Sequence, residues 1–181
     1  MVKPVRALLC SFTMLAGGGL FGAAASDGVG LDDQTGLYAR FLDGHFAANE
    51  GNAGRAAADW LTAVALDPAN RSLRQQAFTQ SLLANRPEAI GLAAGLPGDP
   101  VAQMLLGDAA AQAGHWREAE RCFATIESAG MVQLLRPLLV AWAKQGAGET
   151  DAALAMLQPL TASRQLPGLY ALHAGLIAEQ A

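Results

Sequence analysis

From Gln34 to the end of the chain, large apolar residues return every three or four positions and nowhere alternate with polar ones over a useful length. Such intervals gather side chains on one face of an α-helix, whereas alternation would mark a half-buried strand. Leu37, Phe41 and Gly44 share one such face, with Tyr38 beside them, and Gly51 stops that helix. Asn52 is placed to cap a second helix that runs to about Leu66, where Asp67-Pro68 breaks it. Asn70 caps a third helix, Ser72 to Ala84. After Asn85-Arg86, Pro87 suits the first turn of a short fourth helix ending near Gly95. Leu96-Pro97-Gly98-Asp99-Pro100 is the strongest interior break; Asp99 as cap and Pro100 as first helical residue open a helix that runs to Ala113 and stops at Gly114. Further helices are predicted over Trp116–Glu127, Met131–Gln145 and Thr150–Ala162, with a last one from Pro167 or Gly168 into the terminus. The expected fold class is all-α.

A local pattern also recurs. Gly114-His115-Trp116-Arg117-Glu118-Ala119, then Phe123, returns 34 residues later as Gly148-Glu149-Thr150-Asp151-Ala152-Ala153, then Leu157. Gly51-Asn52-Ala53-Gly54-Arg55-Ala56, then Trp60, is a third copy 63 residues upstream of the first, which leaves room for one short repeat between. A period of this length marks stacked helical hairpins. Glycine or alanine at the crossing lets two helix backbones approach, and a large apolar residue on the second helix fills the adjacent hole. The sequence here resembles the tetratricopeptide repeat family, whose signature sets Leu-Gly early in the first helix, then Ala-x3-Phe, then Pro. Leu106-Gly107, Ala119 and Phe123 match it, as do Gly44, Ala56, Trp60 and Pro68. Asp43 and Val140 stand in place of the expected Leu, Ala141 in place of Gly, and Ala47 and Ala110 where an aromatic is usual. The second repeat keeps little of the signature and is several residues short. The resemblance implies an α-solenoid of antiparallel helix hairpins, about four hairpins plus one terminal helix. The repeats fall at about 37–70, 71–99, 100–133, 134–167 and a partial 168–181 within a repeat domain over 34–181. Gly175 lies one period after Ala141, so the last segment reads as the first helix of a fifth hairpin. It is either a closing helix or the edge of a longer array, and the second reading is preferred because the strip Leu169, Leu172, Leu176 and Ile177 has little to cover it.

The N-terminus changes the picture. Lys3 and Arg6 precede an uncharged stretch from Ala7 to Gly22, and Ala23-Ala24-Ala25 offers a small-residue cleavage site. Residues 1–25 read as a secretory signal peptide, with 26–33 a flexible Gly- and Asp-rich lead-in. The alternative, an uncleaved membrane anchor, is weakened because the stretch is shorter than the ~20 residues a spanning helix needs. The style of the leader points to export into a bacterial envelope, with the periplasm as the expected location. Setting aside Lys3 and Arg6 leaves 10 basic residues against 16 acidic ones, a net charge of −6. The basic residues are scattered, so neither nucleic acid nor an anionic membrane surface is an expected partner.

Candidate chemistry is sparse. Only Cys122 remains after the leader, so no internal disulfide is expected, and it reads as a small buried hydrophobe. His45, His115 and His173 are far apart, with no pair at the spacing of a helical zinc site. No nucleophile elbow, dinucleotide fingerprint or phosphate loop is present in the sequence. No enzyme activity, cofactor or metal is expected.

What the resemblance implies instead is a binding groove lined by the first helix of each repeat. Mapped by phase, the row is Tyr38, Phe41 and His45; Gln75, Thr79 and Leu82; Met104 and Asp108; Leu138 and Trp142; Leu172 and Leu176. It lacks the Lys, Asn and Arg with which the family's other members grip acidic peptide tails. It suits a hydrophobic peptide or amphipathic helix of a partner protein, with Trp142 the residue of most interest. The competing expectation is a row packed internally. On the functional side, the alternative to a scaffold is a spacer segment of a longer envelope protein, such as a polysaccharide-export or outer-membrane assembly component.

Overall fold

The computed structural model describes residues 31–127 and 130–180. The expected signal peptide and the first part of the lead-in, up to residue 30, lie outside them. Nine α-helices follow one another among the described residues, with no strand: α1 Leu31–Asn49, α2 Ala53–Leu66, α3 Arg71–Leu83, α4 Glu88–Ala94, α5 Pro100–Gln112, α6 Trp116–Ala124, α7 Met131–Gly146, α8 Thr150–Leu157 and α9 Pro167–Glu179. Each packs chiefly on its neighbours in sequence.

The caps read from the sequence are in place. The Asn52 side chain accepts from the Arg55 amide at 3.1 Å, Asn70 from the Ser72 and Leu73 amides, and Asp99 from the Ala102 amide at 2.8 Å. Each satisfies amides that the first helical turn leaves without an internal partner. Several boundaries differ from expectation. The first helix begins at Leu31, so the backbone of residues 31–33 belongs to α1 and not to a flexible lead-in. The α6 helix stops at Ala124, where the Thr125 hydroxyl turns back to the Cys122 carbonyl at 2.8 Å. After α8 the chain tightens into a 3-10 turn, Gln158–Ala162, because Pro159 has no amide to continue the α pattern. Pro137, by contrast, sits inside α7 without ending it.

Four turns close the pairs α1–α2, α3–α4, α5–α6 and α7–α8 in one way. Gly51, Asn85, Gly114 and Gly148 all have positive φ. The next amide in each turn returns to the carbonyl five residues back: Asn52 to Ala47, Arg86 to Ser81, His115 to Ala110 and Glu149 to Lys144, at 2.8–2.9 Å. This is the left-handed closure that glycine adopts without strain and asparagine tolerates. The separations between these residues are 34, 29 and 34, so the second repeat shares the turn and loses its length in α4, which has only 7 residues.

The close approaches within the hairpins follow the same rule. A Cβ on Gly44 would lie 2.8 Å from the Trp60 ring, and one on Gly107 would overlap the Phe123 ring. Ala141 and Leu157, both fully buried, take these places in the fourth hairpin. In α3–α4 the positions at the same distance from the turn are the buried Phe78 and the exposed Ala94, so there the large residue lies on the first helix and the small one on the second. Ala56, Ala119 and Ala153, the recurrent alanines of the second helices, are each 0% exposed. The buried side chains form four clusters strung along the chain, drawn in turn from α1–α3, α3–α5, α5–α7 and α7–α9. Every hairpin therefore completes its core with the first helix of the next.

Polar contacts join the same neighbours. Arg40 of α1 pairs with the buried Asp59 of α2 at 3.0 Å. Lys144, at the turn position held elsewhere by Ala47, Ser81 and Ala110, reaches Glu120 at 2.6 Å and Glu149 at 3.7 Å, tying α6 to the end of α7. Its hydrogen bond to Glu120, more than the charges around it, raises its pKa above the ordinary lysine value.

Ser81 is the exception at that turn position, fully buried with a hydroxyl that finds no partner. An unsatisfied buried hydroxyl costs on the order of 1 kcal/mol or more, so Ser81→Ala should raise the unfolding free energy by about 1 kcal/mol in urea titration. A loss of stability would show that the hydroxyl is hydrogen-bonded after all.

Candidate partner-binding face

The first helices bring their outward residues to three separate places instead of one continuous row. On α1, Tyr38 is 69% exposed and Phe41 38%. Phe41, His45 and Trp60 form an edge-to-face trio with ring centroids 4.6–5.3 Å apart, so His45 lies on an aromatic surface supplied by the buried Trp60. That arrangement is favourable in itself for aromatic rings and leaves the outer edges of Tyr38 and Phe41 open.

On α3, Gln75 is not free to meet a ligand. Its amide donates to Asp99 at 2.7 Å while the other Asp99 oxygen caps α5, so Gln75 holds a helix cap in place. The Thr79 hydroxyl, although exposed, donates to the Gln75 carbonyl one turn back at 3.0 Å.

The second place is a hollow of about 310 Å³ formed by Leu82 of α3, Val101, Met104, Leu105 and Asp108 of α5, Phe123 of α6 and Leu139 of α7. Its lining is apolar except for Asp108, which is exposed and accepts from Gln112 at 2.7 Å. Leu82, Met104 and Asp108 were legible in the sequence. Val101, Leu105, Phe123 and Leu139 were not, because phase alone assigns one stripe per helix and a hollow is walled by two.

On α7 the expectation needs correction. Leu138 is 6% exposed and belongs to the cluster of Tyr170 and Ile177, so it offers no surface to a ligand. The reason is that α9 packs over this side of α7. Trp142 is half-buried on the same side and donates its indole N–H to Nδ1 of His173 at 3.0 Å, with the rings near perpendicular. It anchors α7 to α9. Leu172 and Leu176 form the third place, exposed on α9.

No set of reactive groups converges at any of these places. His115 is exposed at the start of α6, its ring 3.9 Å from Glu118. Cys122 is half-buried, and burial, helped by Glu118, raises its thiol pKa. A protonated thiol is a poor nucleophile. Among the described residues no group of three or more His, Cys, Asp and Glu is placed to hold a metal ion, and no helix is long and apolar enough to cross a membrane. A cleft of about 520 Å³ lies between α7, the 3-10 turn and the start of α9, with Arg136, Pro137, Arg164 and Tyr170 among its walls. There the Tyr170 hydroxyl donates to the Leu134 carbonyl at 3.1 Å, in the helical turn beside Pro137. No protein-family model matches the chain, and neither the curated proteins nor the solved structures contain a match.

The Trp142–His173 bond should appear as coupling between the two residues. In a double-mutant cycle of Trp142→Phe and His173→Phe, the pair should be less destabilising than the sum of the singles by about 1 kcal/mol. Additive effects would mean that the bond contributes nothing to the docking of α9.

Proposed function

We propose that this chain is a non-catalytic interaction scaffold of the tetratricopeptide kind, exported to the bacterial periplasm, which holds a peptide or amphipathic helix of another protein. Its hairpins stack in one direction as a solenoid, and the ligand lies against the first helices. The observation that carries this reading is the 310 Å³ hollow, because residues of three successive first helices, with Phe123 between them, wall a single apolar depression rimmed by one carboxylate. An apolar knob from a ligand helix fits such a depression, and Asp108 favours a basic residue beside that knob. The recurrent turn and the small–large pairing support the solenoid. Each hairpin buries its own faces against its neighbours, so the binding surface is preformed and little ordering is left to oppose association.

Affinity capture from a bacterial envelope extract tests the proposal when the chain is compared with its Met104→Glu variant. A carboxylate in the floor of the hollow should reduce capture of a specific partner at least about tenfold while the helical circular dichroism is retained, since burying an unpaired charge costs more than the ~1.4 kcal/mol that tenfold represents. Equal capture by the two proteins would remove the hollow as the binding site.

A further inference from the structure

The helix α9 has almost no polar side. Between Pro167 and Glu179 only His173 and Glu179 carry polar or charged side chains apart from the Tyr170 hydroxyl, and His173 is turned to Trp142. A helix that is apolar all round belongs in an interior. Yet only one side of α9 is covered, through Tyr170 and Ile177, while Gly168, Leu172, Gly175, Leu176 and Glu179 share an exposed face. Gly175 stands 34 residues after Ala141, at the position where Gly44 and Gly107 receive Trp60 and Phe123. At Gly175 a Cβ would meet nothing within 4 Å. The hole is built and unfilled.

We infer that a second copy of this chain covers this face, the two α9 helices packing antiparallel about a two-fold axis. An axis passing between positions 173 and 174 sets Leu172 opposite Gly175 of the second copy and Leu176 opposite its Ala171. Symmetry repeats both contacts, so four large side chains meet four small ones, the rule that closes the hairpins within the chain. The same register places Glu179, the face's one charge, opposite Gly168 of the second copy. That is the first turn of a helix with no side-chain cap and no acidic residue of its own, where a carboxylate is favourable. The face is thus complementary to itself in shape and in charge, which is the requirement for a closed two-fold dimer. The exposed stripe of α1 lacks this property: Tyr38, Leu42 and Phe46 follow one another at four-residue spacing with no glycine among them. This dimer is independent of the groove, since none of its contacts uses the hollow.

Sedimentation velocity on the full chain tests the inference, with three variants. The chain should sediment as a dimer at micromolar concentration. Leu172→Glu should weaken dimerisation at least about tenfold. Gly175→Gln fills the hole at a site where the fold has room, so it should weaken the dimer similarly while the helical signal and thermal unfolding of the monomer are kept. Tyr38→Glu, at the far end, should leave the dimer unchanged. A monomer at all concentrations, assemblies larger than two, a dimer indifferent to both α9 variants, or one lost with Tyr38→Glu would each overturn the arrangement.

Discussion

Two helix backbones joined by a few residues can bury a large side chain between them only where one of them gives up its own. That constraint organises this chain. Trp60 occupies the space a side chain on Gly44 would need, and Phe123 the space above Gly107. Fully burying a side chain of this size is worth roughly 2–3 kcal/mol, a gain available only if the opposing position is small. The turn imposes the second half of the constraint. Its reversal needs a residue with positive φ, which three hairpins supply as glycine and one as Asn85.

With each hairpin satisfied in this way, the core becomes a chain of clusters and not a single centre. A cluster contains the two helices of one hairpin and the first helix of the next. Each cluster depends on contacts between helices that follow one another in the chain. The helices before α9 cover only the side of it that carries Tyr170 and Ile177. The hollow beside Met104 and the exposed face of α9 both lie where packing between successive helices leaves apolar side chains uncovered.

The fold was legible in the sequence to an unusual degree because its determinants are local. Asn52, Asn70 and Asp99 announce the caps they form, and the glycines at 51, 114 and 148 announce the turns. The repeat between them was harder to read, since Asn85 replaces the turn glycine and Phe78 and Ala94 reverse the small–large order of the other hairpins. Periodicity could not see the close of α8, although Pro159 was there to be weighed. The candidate site was legible only in part. Phase along a helix says which residues point away from its own hairpin, but not which of them the next helix will cover. Leu138 and Trp142 have the right phase and are taken up by α9. Gln75 has it and is committed to Asp99. Those contacts are tertiary, and no spacing encodes them.

The pairing of a small residue with a large one can be tested by asking what Gly107→Ala does in two backgrounds. Beside Phe123 the added methyl has no room, and overpacking of this kind costs about 1–3 kcal/mol. In a Phe123→Ala background the room is free, and the preference of helices for alanine over glycine, about 1 kcal/mol, should then make the same change stabilising. Equilibrium unfolding of the four proteins should therefore show the effect of Gly107→Ala reversing sign. An equal effect in both backgrounds would mean that Phe123 does not rest on Gly107 and that the hairpins are held together by something else.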